Sequence, residues 1–392
     1  MPLAEWPEIG RDELDRPPAA VEDNWWRRLR RWLVPGGHAT AAPTLLFVLL
    51  GVTLGPHGLA ILSVTVVGHL EAVVWVALAV IGVFLGLGIA EVSARTSARV
   101  FVSGVVTPLI TVAAVAAGLY LLFWQARVPL TGDPLAGSIL IGICASVSAA
   151  LRPGSGASAE LRRAAHLADL DDIPLLVVGV TIVAALAAEA PVLRLLATLA
   201  AGGAIGLAGW LLFERADESE RGVFLTGAVL LIAGIGAYLG TSPLLSGCIA
   251  AIVWVRAPGA ADRITARDLR TLQHPLVALL LIIAGATLEW TAMVLWVTGA
   301  IVVLRFAAKL LAAVAVAPFA GVSPALLATV LLQPGIMGIA LALNAGRMLG
   351  ADYLWIVSAV TTAALVSEVL AAFLPHDHHP EPQAAAASGG AE

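Results

Sequence analysis

The sequence predicts an all-α polytopic membrane protein with about 12 transmembrane helices, on the basis of its composition, its apolar runs and its arginine distribution. Of its 392 residues, 59% are hydrophobic and 12% are charged, and the mean hydropathy is +0.93. Because a soluble domain carries about 25% charged residues, this composition excludes an ordinary soluble protein.

The apolar runs give the positions of the spans. A helix needs about 20 apolar residues to cross a bilayer, and glycine or proline interrupts several of the runs. We expect spans at approximately 41–62, 69–90, 99–124, 135–151, 164–188, 192–213, 222–239, 242–256, 274–288, 292–317, 323–344 and 353–374.

Arginine placement tests this topology. A cytoplasmic N-terminus assigns eleven arginines to cytoplasmic loops, and six more lie before the first span. The opposite side receives only Arg127, Arg194 and Arg347. This bias is the positive-inside pattern, so we expect both termini in the cytoplasm. The cytoplasmic loop arginines are Arg95, Arg99, Arg152, Arg162, Arg163, Arg215, Arg221, Arg256, Arg263, Arg267 and Arg270.

The composition changes at both ends of the apolar region. Residues 1–40 are predicted to be a cytoplasmic segment, 41–374 the transmembrane domain and 375–392 a disordered cytoplasmic tail. The first segment contains WWRRLRRW (Trp25–Trp32), which suits either a helix at the headgroup layer or a positive anchor for the first span. No cleavable signal is expected, because the first apolar run is long enough to span.

The charges inside the spans are the candidate functional residues. Lys309 is the only lysine in the chain and lies in the tenth span, where a charge costs at least a few kcal/mol unless it is paired or used for transport. The fifth span contains ADLDDIPLL, with Asp169, Asp171 and Asp172. Asp172 and Lys309 each lie roughly 12 Å from the cytoplasmic face, so the two charges can meet. This pattern indicates an ion or proton carrier.

Neighbouring charges share the same helix faces. Arg305 lies one turn from Lys309, Asp169 shares a face with Asp172, and Asp171 points about 100° away from Asp172. Three carboxylates cannot all stay ionised together without nearby cations, and coupled groups of this kind are suited to exchanging a proton for a metal cation. The alternative is a static ion-pair network that fixes helix packing.

Two spans carry signs of a break. The eleventh contains Gln333, Pro334 and Gly335, where proline removes a backbone donor and exposes carbonyls at mid-membrane depth. The fourth contains Ser146 and Ser148 but no central glycine or proline. Interrupted helices at matching positions of two halves are typical of binding sites in transporters built from inverted repeats. Simple helix packing is the alternative for either break.

Four motifs in order resemble the monovalent cation–proton antiporter superfamily, the bacterial Na⁺/H⁺ and K⁺/H⁺ exchangers. LLFVLLGVTLGPHGL resembles the opening span of that family, and VFLGLGIAEVSAR its second span. ADLDDIPLLVV is similar to the paired-aspartate motif. The stretch from KLLAAVAVAPF to LLQPGIMGIALAL is similar to the lysine span and the unwound helix that follows it.

The resemblance implies inverted repeats, two crossed broken helices, and a mobile core domain beside a dimerisation domain. It implies that Asp172 alternately binds cation and proton, and that Asp171 pairs with Lys309 when no cation is bound. Ser146 falls where the family often has threonine. An alternative alignment on IPLL gives Asp169 the essential position. The short tail after residue 374 makes regulation through a cytoplasmic nucleotide-binding domain unexpected.

The expected function is therefore secondary antiport of a monovalent cation, with Na⁺, K⁺ and Li⁺ left open, for protons by alternating access in a homodimer. The alternatives are an organic-anion or bile-acid-type symporter of similar fold and a non-transporting membrane sensor. An enzyme is not expected, because the histidines lack a metal-ligand spacing such as HExxH. His166, three residues before Asp169, is a candidate pH sensor. Cys144 and Cys248 are expected to be buried thiols, and no cofactor, resident metal or nucleic acid is expected.

Overall fold

The computed structural model describes residues 41–93, 98–126, 132–149, 158–186, 190–215, 218–256 and 261–372. The predictions for the segments 1–40 and 375–392 lie outside the described residues.

The described residues form fourteen α-helices, one 3₁₀ turn at Ala351–Tyr353, and a single isolated β-bridge, which confirms the all-α prediction. The helices are α1 (Ala41–Leu54), α2 (Val64–His69), α3 (Glu71–Ser93), α4 (Ala98–Ala126), α5 (Pro134–Ser146), α6 (Ala159–Leu186), α7 (Pro191–Arg215), α8 (Glu218–Leu239), α9 (Pro243–Arg256), α10 (Ala261–Ala286), α11 (Ala292–Ala320), α12 (Pro324–Leu332), α13 (Ile336–Leu349) and α14 (Leu354–Ala372).

Each predicted span coincides with one helix, except that α12 and α13 share the eleventh. Six of the helices, α3, α4, α7, α8, α11 and α14, are long and apolar enough to cross a membrane, and five shorter apolar helices accompany them. The predicted first span is too long at its end: α1 stops at Leu54 because Pro56 has no backbone N–H to continue the helix.

The helices pack as two groups. The crossing bundle consists of α4, α5, α6, α11, α12, α13 and α14, and the second bundle consists of α1, α3, α7, α8, α9 and α10. Small residues allow the backbones of the second bundle to touch, since a Cβ added at Gly82 of α3 would lie 2.1 Å from the carbonyl oxygen of Leu244 in α9. Close packing of this kind gives each bundle its own buried interior.

Two polar contacts join the bundles through α13. The Ser242 hydroxyl, just before α9, donates to Asn344 Oδ1 over 3.2 Å, with both side chains buried. In the last turn of α13, Arg347 Nη1 lies 3.3 Å from Glu71 Oε1 at the start of α3. Any sliding of one bundle past the other must therefore break these contacts.

Candidate ion site at the crossing of two broken helices

Two helices of the crossing bundle end at the point where the segments that follow them meet. α5 ends at Ser146 and α12 ends at Leu332, and the residue after each has extended backbone angles. Ser148 and Pro334 then form the isolated antiparallel β-bridge. The predicted pair of crossed broken helices is therefore present in spans four and eleven.

The two breaks have different origins. Pro334 cannot donate the backbone hydrogen bond that would continue α12, so its sequence alone favours a break. The α5 break at Val147 has no such signal, because neither glycine nor proline occurs from 143 to 149. The segment that follows α12 stabilises this break, since the Ala149 N–H donates to the Gln333 carbonyl over 2.9 Å.

Glycines allow the backbones of the two crossing segments to approach each other. A Cβ added at Gly335 would lie 2.4 Å from the Ser148 carbonyl oxygen, and one at Gly338 would lie 2.4 Å from the Cys144 carbonyl oxygen. Real Cβ atoms do not come so near a backbone oxygen. Gly335 is therefore required by the geometry of the crossing.

Arg305 of α11 satisfies the carbonyls that the broken helices leave free. Its Nε donates to Ala145 O over 2.7 Å, Nη1 to Leu332 O over 2.9 Å and Nη2 to Val147 O over 3.2 Å. The side chain is 3% exposed. Because helix C-termini carry partial negative charge, the guanidinium balances the ends of α5 and α12 together.

Lys309 lies one helical turn further along α11 and makes a buried ion pair. Its Nζ is 2.9 Å from Asp171 Oδ2, and both side chains are 0% exposed. Lys309 Nζ also donates to Ser148 Oγ over 2.8 Å. That hydroxyl is 2.9 Å from Asp171 Oδ2 and 3.3 Å from Leu331 O, and its one hydrogen can serve either acceptor.

The acidic cluster keeps two carboxylate oxygens without a hydrogen-bond partner. These are Asp171 Oδ1 and Asp172 Oδ1, and both atoms are buried. Asp172 and Asp169 are partly buried as residues. The depth estimate matched Asp172 with Lys309, but the contact is made by Asp171, because successive residues of a helix point about 100° apart.

The remaining predicted residues take different positions. Ser146 is buried, but its hydroxyl donates to Gly142 O of its own helix over 2.6 Å and is turned away from the carboxylates. Gln333 contributes its backbone carbonyl to the crossing. His166 is partly buried on α6, three residues before Asp169.

The space beside the crossing is small. A cavity of about 20 Å³ is lined by Arg305, Val147, Gly335 and Gly338, among others, which is room for about one water. Among the described residues, no group of three or more His, Cys, Asp or Glu side chains could hold a metal ion.

Comparison with known proteins finds similarity at the level of structure. No family model matches the sequence, and no curated protein matches it either. The structure is similar to that of MjNhaP1, the sodium proton antiporter of Methanocaldococcus jannaschii at pH 8, with a TM-score of 0.59 over 84% of this chain and 92% of that chain. The sequence identity is 15%. The chain has the sodium proton antiporter fold.

The antiporter fold confirms the predicted fold class of a multi-pass helical protein with crossed broken helices. Sequence reasoning nevertheless missed two buried polar residues, Asn344 of the bundle contact and Glu368 of α14. Each is a polar side chain inside an apolar run, which is the signal that could have identified it.

Proposed function

We propose that this protein is a secondary transporter that exchanges a monovalent cation for protons across a bilayer. The observation that carries the proposal is the pair of unpartnered, buried carboxylate oxygens of Asp171 and Asp172 beside Lys309, at the crossing of two broken helices. Hard cations bind oxygen ligands, and a buried oxygen with no donor is free to serve as one.

Charge balance explains why such a site couples the two ions. Lys309 already neutralises Asp171, so Asp172 has no cation of its own among the described residues. A second uncompensated charge in a low-dielectric interior costs several kcal/mol. Asp172 is neutral when it carries a proton, and the site is neutral again when a cation replaces that proton. The proton and the metal cation therefore compete for the Asp172 carboxylate.

The ion pair has a role in this competition. When a cation binds to Asp172, it draws the free oxygen of Asp171 toward itself and weakens the attraction between Asp171 and Lys309. Ser148 contacts both members of the pair and lies in the extended chain of the crossing, where backbone carbonyls can complete the oxygen ligands. If Lys309 releases its proton in each cycle, the exchange is electrogenic. If Lys309 stays protonated throughout, one proton is exchanged for one cation.

Alternating access follows from the two bundles. The ion site lies wholly within α5, α6, α11 and α12 of the crossing bundle, so movement of this bundle against the second one carries the site as a unit. The Ser242–Asn344 and Glu71–Arg347 contacts break and reform in such a movement. In this proposal the crossing bundle is the mobile part of the transporter and the second bundle is the static part.

The proposal includes the setting of the protein. It places the chain in a bacterial inner membrane as a homodimer with both termini in the cytoplasm, with Na⁺, K⁺ or Li⁺ and protons as its substrates. The arginine distribution supports the orientation. A large organic anion is disfavoured, because pockets for such ligands measure about 300–1,000 Å³ and the cavity beside the crossing is about 20 Å³.

The experiment is cation-driven proton flux in proteoliposomes that enclose a pH-sensitive dye. Na⁺, K⁺ and Li⁺ are added in turn to the wild type, to Asp172→Asn and to Asp169→Asn. We expect Asp172→Asn to abolish flux with every cation and Asp169→Asn to reduce it. Asp352→Asn, the same change at an exposed aspartate, is the control and leaves flux unchanged.

Two results would contradict the proposal. Wild-type vesicles that show no proton flux with any of the three cations rule out monovalent cation exchange. Loss of flux in Asp169→Asn with retention in Asp172→Asn shows that Asp169 is the essential carboxylate and that the role assigned to Asp172 is wrong.

A further inference from the structure

A second buried carboxylate lies away from the crossing. Glu368 of α14 is 7% exposed, and its Oε1 has no hydrogen-bond partner. The carboxylate also lies near the backbone N–H of Leu45, close to the first described residues of α1. α14 belongs to the crossing bundle and α1 to the second bundle, so Glu368 lies at the junction between them.

Among the described side chains, no charged group around α14 neutralises this carboxylate. Arg305 and Lys309 of α11 are bound at the crossing, and Arg347 of α13 contacts Glu71. The remaining titratable residues on elements packed against α14 are Cys144 of α5, Asp352 and Tyr353 of the 3₁₀ turn, and His274 of α10. The side chains of 261–273 lie outside the described part of α10.

Of these titratable residues, His274 is the one at the same end of the fold. α10 runs parallel to α1, since Gly51 approaches Ile282 and Gly55 approaches Ala286. His274 therefore lies slightly beyond Leu45, toward the end of the bundle at which α1 begins in the described structure. His274 is exposed and has an interaction of its own, whereas Cys144 lies at the crossing and Asp352 lies before the other end of α14. His274 is therefore the neighbour that an experiment must control for.

The geometry points to a proton as the ligand of Glu368, and we propose that Glu368 is a second proton-binding site at the junction of the two bundles. A metal cation needs several oxygen ligands, and here a single carboxylate faces an N–H donor that repels a cation. A buried carboxylate without a counter-cation costs several kcal/mol, and a proton removes that charge. The nearby N–H favours the anion, so both forms have a source of stabilisation.

The consequence for transport rests on the proposed function. If the crossing bundle moves against the second bundle, Glu368 separates from Leu45 and its surroundings change. Proton affinity then differs between the two arrangements, and by linkage the proton concentration biases the equilibrium between them. Glu368 would in this way contribute to the pH dependence of exchange without belonging to the ion site.

The direct test is infrared spectroscopy of the purified full-length protein labelled with ¹³C at glutamate carboxyl groups, recorded across a pH series. A protonated carboxyl has a C=O stretching band that a carboxylate lacks, and the label separates glutamate from Asp171 and Asp172. At pH values above the ordinary glutamate pKa of about 4.3, where exposed glutamates are ionised, we expect a glutamic-acid band that disappears as the pH rises further and that is lost in Glu368→Gln. Ser367→Ala, the adjacent buried position, and His274→Gln are controls that retain the band.

Exchange measurements give the second readout. The pH profile of cation-driven proton flux is expected to shift in Glu368→Gln and not in Ser367→Ala. A labelled wild type with no glutamic-acid band above the pH range in which exposed glutamates ionise overturns the proposal even if the variant does not fold, and so does a band in that range that persists in Glu368→Gln. An unshifted profile overturns the contribution of Glu368 to the pH dependence of exchange. Wild-type protein that shows the band but exchanges no cation contradicts the proposed function and leaves the proton site established.

Discussion

Lys309 Nζ lies 2.9 Å from Asp171 Oδ2, and the two side chains are completely buried. The pair is not isolated, because Ser148 Oγ lies within hydrogen-bond distance of both atoms. Three helices, α5, α6 and α11, are therefore tied at one point, and removal of any member leaves the others incompletely bonded. The first two predictions test this arrangement.

Ser148→Ala is expected to weaken the protein and the ion site together. The substitution removes an acceptor from Lys309 and a donor from Asp171, and should lower the free energy of unfolding by about 1–3 kcal/mol. The half-saturating cation concentration should change as well. Ser146→Ala is the matched control, since that hydroxyl bonds only to its own helix. Thermal unfolding in detergent and cation titration of flux measure both effects, and equal behaviour of the two variants contradicts the prediction.

Substitution of Lys309 separates structural charge from proton transfer. Lys309→Ala leaves Asp171 buried without its cation and should cost about 3–5 kcal/mol of stability. Lys309→Arg keeps the charge but cannot lose a proton, so it should recover most of the stability and abolish any voltage-driven component of flux. The measurement is thermal stability together with flux under an imposed membrane potential. A Lys309→Arg protein that stays electrogenic reduces the lysine to a structural ion pair.

Arg305→Lys should not replace the wild-type residue, although the charge is kept. An ammonium group cannot reach three carbonyls that lie on two separate helix ends, whereas the planar guanidinium does so. Hydrogen bonds to charged groups contribute about 1.5–3 kcal/mol each, so a loss of at least about 2 kcal/mol in unfolding free energy is expected. Wild-type thermal stability in Arg305→Lys would show that charge alone holds the crossing.

Gly335→Ala is expected to distort the crossing. The new methyl group would lie 2.4 Å from the Ser148 carbonyl oxygen, so one of the two crossing segments must move. Flux should fall and the apparent cation affinity should weaken. Gly299→Ala in α11 is the control, because nothing lies within 4 Å of its added Cβ and alanine favours a helix by up to about 1 kcal/mol. Unchanged cation titration in Gly335→Ala would show that the crossing tolerates the displacement.

Glu160 gives a pH-dependent stability at the start of α6. Its carboxylate accepts the backbone N–H of Ser323, which precedes α12. That hydrogen bond, then the Ser323 hydroxyl and the charge of Arg163, lower the pKa of the Glu160 carboxyl. Because the pKa is lower in the folded than in the unfolded protein, the ionised carboxyl stabilises the fold at pH values above the ordinary glutamate pKa of about 4.3. This stabilisation is lost as the pH falls through the folded pKa.

Glu160→Gln should therefore remove part of the acid-range fall in stability and leave stability near neutral pH lower than in the wild type. The measurement is thermal unfolding from neutral pH down into the acid range. Glu289→Gln, at an exposed glutamate, is the control and should keep the wild-type slope. An identical slope in Glu160→Gln and the wild type would mean that the Ser323 contact does not stabilise the folded state.

Much of the fold was predictable because the bilayer requires long apolar segments, and such segments are visible in a sequence. The positions of α3, α4, α7, α8, α11 and α14 follow from apolar length alone. The break before α13 was predictable too, because Pro334 lacks a backbone donor. The candidate residues could be named from their charge, since a charge in an apolar run needs a reason.

The sequence by itself determined the spans, the all-α class and the set of charged residues within the spans. The tertiary structure alone decided that α5 breaks at Val147, because the competing bonds come from Arg305 and Gln333 on other helices. Between Asp172, which the depth estimate matched with Lys309, and Asp171, which the resemblance paired with it, the structure has Asp171 in contact. A helix rotates its side chains by about 100° per residue, so an uncertainty of one position in a span is enough to exchange one aspartate for its neighbour.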